Sequence, residues 1–198
     1  MSRSPKRITR ARLQRITAHY LERYSTSVSH LRRLLLRRVH RSATFHGEDP
    51  AEGEALVEEE LTRLVSLGWL DDARYARSKA RSLVRRGHGP RRVRMLLGQK
   101  GVPSEAIDAA LMDVEDHIGE DPRRLAAALY ARKRRIGPWA VPPRRDGPAE
   151  RQQRRQRDLQ RMARAGFSYD LARSLVDVEP GSEDADAWVA LVELRRQL

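Results

Sequence analysis

The sequence predicts an all-α protein: tandem three-helix modules stacked into an elongated, curved body. Three observations carry that expectation. Apolar residues recur at helical spacing and each run halts at a glycine, as Leu56, Val57, Leu61, Leu64 and Val65 halt at Gly68, and Val93, Leu96 and Leu97 at Gly101. A glycine just past a helix end takes the left-handed conformation without Cβ strain. No stretch sustains the period-two alternation of a half-buried strand. Finally, aligning Val39, Gly101 and Gly166 as helix stops gives intervals of 62 and 65 residues. In that register Leu35, Leu97 and Met162 coincide, and so do Ile107 with Ala172 and Ala110 with Leu175.

Each element has its own justification. Residues 1–6 are short on apolar groups and are expected to be disordered. Arg7–Arg23 reads as a helix with Ile8, Leu13, Ile16 and Tyr20 to one side. Ser25-Thr26-Ser27 can cap the next, about Val28–Arg41, with Leu31, Leu34 and Leu35 inward. Residues 44–53 hold Gly47, Pro50 and Gly53 and read as an inserted loop. Helices follow at about Glu54–Leu67, Asp72–Arg86, Pro90–Lys100 and Ser104–His117. Asp71 offers an N-cap carboxylate, and Pro90 a pre-set first helical residue after Gly89. Ile107, Ala110, Leu111 and Val114 form a stripe at i, i+3, i+4 and i+7. Pro122 opens a helix to about Arg135. Residues 137–148 carry four prolines and read as a loop, and helices resume at about Ala149–Ala165, Tyr169–Val176 and Ala185–Gln197.

The modules this implies are 7–67, 68–120 and 121–178, followed by a helical extension at 179–198 with a Trp188, Leu191, Val192 stripe. A module of three short helices cannot bury both its faces alone, so stacking on neighbours is expected.

Composition narrows the function classes. The 198 residues carry a formal charge of +13 and a pI near 11.1, which favours an anionic partner, nucleic acid first. The charge is uneven: Glu22 is the only acidic residue before Glu48, whereas 48–60 and 179–186 are acidic. There is no cysteine, so disulfides and thiolate metal sites are excluded. No apolar run approaches the ~18 residues of a membrane span, and no apolar segment follows the basic N-terminus as in a secretory signal. A cytoplasmic location is the expectation.

The order of these features resembles one regulatory family. Gly68-Trp69-Leu70-Asp71-Asp72, a basic helix, Arg86-Gly87-His88-Gly89-Pro90-Arg91-Arg92, and Gln99-Lys100-Gly101-Val102-Pro103 follow the pattern of the RecX family, regulators of the bacterial RecA recombinase. Ala165-Gly166-Phe167-Ser168-Tyr169-Asp170-Leu171-Ala172 resembles its last module, and Ser27-Val28-Ser29-His30-Leu31-Arg32-Arg33 is a weaker match to its first. The resemblance implies an all-helical rod that lies in the groove of the RecA–DNA filament and restrains recombinase ATPase and strand exchange in recombination and repair. It implies the RecA filament as partner, with the backbone of single- or double-stranded DNA, and a protein acting as a monomer.

No catalytic constellation emerges. Gly87-His88-Gly89-Pro90 lacks both the Gly-Lys-Ser/Thr ending and the preceding strand of a phosphate loop, though the helix start after it could touch a backbone phosphate. His19, His30, His40, His46, His88 and His117 make no His-Glu-x-x-His pair, so no metal and no cofactor is expected. Asp71 and Asp72 are explained by a cap and a first-turn charge, with Arg74 as a nearby partner. The acidic clusters Glu58-Glu59-Glu60 and Asp113, Glu115, Asp116 are expected to face solvent or a neighbouring module's basic surface. The chain reads as a non-enzyme.

The basic clusters remain as the candidate interface: Arg32, Arg33, Arg37 and Arg38; Arg85, Arg86, Arg91, Arg92, Arg94 and Lys100; Arg154, Arg155, Arg157 and Arg161, with Arg144, Arg145 and Arg151 beside the last set. They recur once per module. Arginine suits phosphate because its planar fork grips two oxygens at once. Aromatic residues are sparse near these clusters, so phosphate contact rather than base stacking is expected. The other reading is a basic helical DNA-binding protein that works without a recombinase.

Overall fold

In a computed structural model, residues 4–117, 121–141 and 147–194 are described. They form ten α-helices and one 3-10 turn, with no strand among them. The helices are α1 Arg10–Leu21, α2 Val28–His46, α3 Ala51–Ser66, α4 Asp72–Arg85, α5 Pro90–Gln99, α6 Ser104–His117, α7 Pro122–Arg134, α8 Pro148–Arg164, α9 Tyr169–Val176 and α10 Glu183–Leu194; the 3-10 turn is Gly137–Trp139. The chain is all-helical, as expected.

Two compact units divide the contacts: Met1–Ala76 with Gly98–Ala106, and Arg77–Leu97 with Ile107–Leu198. The first unit closes on a core of Leu13, Leu31, Leu35, Val39, Val57, Leu61, Leu64 and Leu70, drawn from α1, α2, α3 and the turn after Gly68. In the second, α7 is buried along most of its length, and Ala126, Ala127, Ala128 and Ala131 let neighbouring helices approach closely. Helices α8, α9 and α10 and the 3-10 turn all pack on it. The terminal extension therefore joins this core: Ala185, Trp188 and Val192 are buried, and Arg124 lies 4.6 Å from the centroid of the Trp188 ring.

Some sequence-based expectations need correction. Helix α2 does not stop at Val39, which is buried inside it, but at Gly47 in the left-handed conformation. The expected inserted loop at 44–53 shrinks to the few residues between α2 and α3. The pattern misled because the last third of α2 keeps its inward face with Val39, Ser42 and Ala43, residues too small or polar to register as an apolar stripe. At the N-terminus, Pro5 and Lys6 are held in place: the Lys6 carbonyl accepts from Ser42 and the Pro5 carbonyl lies 2.9 Å from the His46 ring. The rest of the segment expected to be disordered, 1–3, lies outside the described residues, as do Arg144 and Arg145 in the Pro-rich loop.

Gly101 and Gly166 both have positive φ, 74° and 92°, and Leu97 and Met162, four residues before them, are fully buried. Both glycines also serve as docking points. In the first unit a Cβ at Gly101 would lie 2.5 Å from the Ser29 Cβ, the Ser27 hydroxyl donates to the Lys100 carbonyl, and Arg33 donates to the Gln99 carbonyl at 2.9 Å. In the second unit a Cβ at Gly166 would lie 2.4 Å from the Arg92 nitrogen; Gly89 N–H donates to the Ala165 carbonyl at 2.9 Å and Arg91 N–H to the Gly166 carbonyl at 3.4 Å. In each unit the start of one helix fills the open carbonyls at the end of another, satisfying orphan groups of both.

Candidate nucleic-acid interface

The first turn of α5 is not open to an anion. The amides of Gly89 and Arg91 already bond to carbonyls at the end of α8, so the phosphate contact expected at the Gly-x-Gly-Pro turn is displaced by protein backbone. The acidic pair takes its expected places, Asp71 as cap and Asp72 in the first turn of α4, and Asp72 has a second role. Asp71 caps α4 through the Arg74 N–H at 2.9 Å, and Asp72 accepts from the Val28 N–H at 2.9 Å and so also caps α2. Arg74 turns to the Gly68 carbonyl at 2.8 Å rather than to either carboxylate.

The acidic clusters are absorbed by named arginines. Glu58 takes both nitrogens of the Arg32 fork at 2.8 Å, and Glu59 pairs with Arg10. Glu60 is buried, against the solvent-facing expectation; it accepts from Thr17 at 2.7 Å and from Arg63 at 2.9 Å. Burial alone would raise its pKa, but the Arg63 and Thr17 hydrogen bonds outweigh it and hold the carboxyl below its usual range. Asp113 receives Arg81 at 2.8 Å, and Glu115 receives Arg123.

Several of the candidate interface arginines are engaged in ion pairs among the described residues: Arg32 with Glu58, Arg94 with Asp108, Arg155 with Asp177, and Arg161 with Asp158. The Arg155 pair is bidentate, at 2.6 and 2.8 Å; the Arg155 hydrogen bond, against some burial, holds the Asp177 carboxyl low. Arg33 caps the end of α5, and Arg157 makes a long bond to the Gln153 carbonyl. Arg154 also has a partner. Arg92 is half-buried beside Gly166 and its guanidinium reaches the Met95 sulfur, at 3.7 Å. Lys100 is half-buried near His30, whose pKa is lowered first by burial and then by Lys100, Arg33 and Arg37.

Arg37, Arg38, Arg85, Arg86 and the Arg91 side chain are exposed and make no hydrogen bond or ion pair among the described residues. The structure adds cations that the sequence reading passed over. In the first unit Arg12, Arg15, Arg23 and Arg38 share a cleft with Tyr20 and Tyr24, and Arg33, Arg37, Arg38 and Arg41 line a shallow surface of α2. In the second unit Lys133, Arg134, Arg135, Arg161 and Arg164 line a cleft with Tyr130. Nearby, the His88 pKa is lowered by burial and then by Arg92, Arg86 and Lys133. Sequence spacing alone does not show these clefts, because each forms where two successive helices, α1 with α2 and α7 with α8, fold against one another; the signal available was the charge run at 132–135 and the near absence of acid before Glu48.

Among the described residues no set of three or more histidine or acidic side chains is placed to hold a metal, and no helix is long and apolar enough to cross a membrane. The family model for the second three-helix domain of RecX matches residues 71–111, the stretch holding α4, α5 and most of α6. A regulatory protein RecX from Myxococcus xanthus (strain DK1622) is 39% identical over 176 residues, covering 89% of this chain and 90% of the relative. The chain belongs to the RecX family. A regulatory protein RecX from Stenotrophomonas maltophilia (strain R551-3) is 34% identical over 165 residues, covering 80% of the chain and 90% of the relative. A crystal structure of a regulatory protein RecX superposes with a TM-score of 0.54 at 23% identity, over 85% of this chain and 71% of that one, and so supports the RecX fold. A RecX-family regulator is therefore the setting in which the basic clefts are to be understood.

Proposed function

We propose that this RecX-family regulator binds the RecA–DNA filament and lowers recombinase ATPase and strand exchange, with no turnover of its own. The observation that carries the reading is the charge left over once ion pairs are assigned. Both units retain exposed arginines without a carboxylate partner among the described residues: Arg37 and Arg38 in the first, Arg85, Arg86 and Arg91 in the second. Arginines held this way are free to grip phosphate oxygens, whereas Arg32, Arg94, Arg155 and Arg161 would first have to release a carboxylate. Several weak contacts borne on one chain add through effective concentration, which suits a repetitive polyanionic partner.

The test is co-sedimentation with RecA filaments assembled on single-stranded DNA, alongside the filament ATPase, for wild type and an Arg85→Glu, Arg86→Glu, Arg91→Glu variant. The variant is expected to pellet poorly and to leave ATPase unrestrained while keeping its melting temperature, because exposed charges contribute little to folding. Equal binding to naked DNA and to filament at moderate salt would favour the recombinase-independent DNA-binding reading instead.

A further inference from the structure

The cleft between α1 and α2 in the first unit sets arginines around an exposed ring, Tyr24, whereas Tyr130 in the second unit's basic cleft is half-buried. It has a volume of about 510 Å³ and is lined by Arg12, Arg15, Arg23 and Arg38 with Tyr20 and Tyr24. Tyr24 follows the end of α1 and is 57% exposed, a large fraction for a ring that makes no core contact of its own. It is nevertheless positioned. Its N–H donates to the Tyr20 carbonyl at 3.0 Å, and its ring lies 5.2 Å from the Tyr20 ring at an interplanar angle of 42°. Tyr20 in turn packs against the Leu13, Leu31, Leu35 core. The core thus fixes one ring, that ring braces the second, and the remaining surface of the second is open.

The cations around it are uncommitted. Arg12 is half-buried and makes no side-chain hydrogen bond or ion pair among the described residues; its Nε is covered by protein, so it is the outer end of the guanidinium that the cleft offers. Arg15 and Arg23 are exposed, and Arg38 reaches the same cleft from α2. Glu22, the C-cap of α1, faces His19 at 3.9 Å. A cleft with several arginine forks and an open phenol ring calls for a ligand with both phosphates and a flat apolar face.

We propose that this cleft binds single-stranded nucleic acid, a base stacking on Tyr24 while flanking phosphates are held by Arg12, Arg15, Arg23 and Arg38. Duplex fits poorly, because its base faces are already covered by their stacked neighbours and only its backbone is offered. On this one face Tyr20 and Tyr24 sit among Arg12, Arg15, Arg23 and Arg38, so stacking is available here beside phosphate contact. The inference deepens the nucleic-acid half of the proposed function and takes only the ligand class from it.

Fluorescence anisotropy of a short labelled oligothymidylate, and of a duplex of equal length, tests it on the full chain. Tyr24→Ala is expected to weaken oligothymidylate binding roughly tenfold, within the range for one lost stacking contact, and to leave duplex binding and the salt slope unchanged. Tyr24→Phe should bind as wild type. Arg12→Gln with Arg23→Gln should instead flatten the dependence of log K on log salt by about 1.4, at ~0.7 per single-strand phosphate. Wild-type oligothymidylate affinity in Tyr24→Ala, or equal losses on single strand and duplex, would overturn the proposal. So would displacement of the oligonucleotide by polyglutamate of matched charge as effective as by unlabelled oligothymidylate, which would assign the cleft to an acidic protein. Filament co-sedimentation separates the two readings. A Tyr24→Ala protein that loses oligothymidylate but still pellets with filaments supports the stacking site and leaves the proposed function intact. A wild-type protein that binds oligothymidylate through Tyr24 but never pellets with filaments refutes the function and not the cleft.

Discussion

Glu60 shows how a single residue decides whether a charged cluster is surface or core. Its neighbours in sequence, Glu58 and Glu59, reach outward to Arg32 and Arg10, while Glu60 lies buried against α1 with Thr17 and Arg63 bonded to it. Because its folded pKa sits below the usual 4.5, the unfolded chain takes up the proton first. The stabilisation is therefore complete above the ordinary carboxylate pKa and is lost as pH falls through the lower folded value. Glu60→Gln is expected to destabilise by about 1–2 kcal/mol at neutral pH, the scale of a charged hydrogen bond, with the difference from wild type shrinking in acid. Denaturant titrations at pH 7 and in strong acid check both halves. His88 gives the complementary test of the second unit's cations. Burial first, then Arg92, Arg86 and Lys133, lower its pKa. Phosphate arriving beside those cations would offset their charge and raise the His88 pKa, visible by NMR as an upward-shifted ring titration in the presence of DNA. An unmoved titration would place the phosphates elsewhere. Neither residue's state was legible in the sequence. Three consecutive glutamates do not reveal which one a partner helix covers, and His88 owes part of its depression to a lysine on α7.

At the scale of elements, the glycine stops were legible where a strong apolar stripe ended and illegible where it faded. Gly68 and Gly101 each close such a stripe, and Gly166 is found by its interval from Gly101 rather than by the polar α8 before it; Gly47 closes α2 after a polar last third, where the spacing points to Val39 instead. The helices themselves follow from caps and stripes, hence their good visibility from Asp71 to Val176. The contacts made at those caps depend on chain segments far apart, hence the unexpected pairing of Asp72 with α2 and of Gly89 with Ala165. Replacing Gly101 by Val is expected to cost at least ~1 kcal/mol from the left-handed backbone alone, and more from the collision with Ser29. Thermal unfolding measures it; a loss near ~1 kcal/mol would mean α2 retreats without penalty, and a loss well under that would mean the chain leaves the left-handed conformation at 101 without cost.

For the whole molecule, the net charge of +13 was legible at once, but which cations are free was not, since pairing is decided by the fold. Arg155 and Arg154 stand side by side in a charge run, yet the bidentate bond to Asp177 ties Arg155 to the end of α9. The uncommitted arginines set an expectation for salt dependence. If about five meet phosphates, log K against log salt should slope near −3.5 to −4.5, at ~0.7–0.9 per contact. The slope should keep that size when Arg155 is replaced by Gln and fall when Arg85, Arg86 and Arg91 are. A slope that responds to Arg155 instead would show that the Asp177 pair opens on binding.

The backbone bonds from Gly89 and Arg91 to the end of α8 have a consequence for hydrogen exchange. Amides in the first turn of a helix ordinarily swap their protons with water quickly, because nothing within the helix accepts from them. Here two such amides are shut by carbonyls from a helix much later in the chain, so their deuterium uptake should be slow, and should follow the opening of the α5–α8 contact rather than the fraying of α5. Two amide signals would thus report whether distant parts of the second unit remain docked, with no label added and no residue changed.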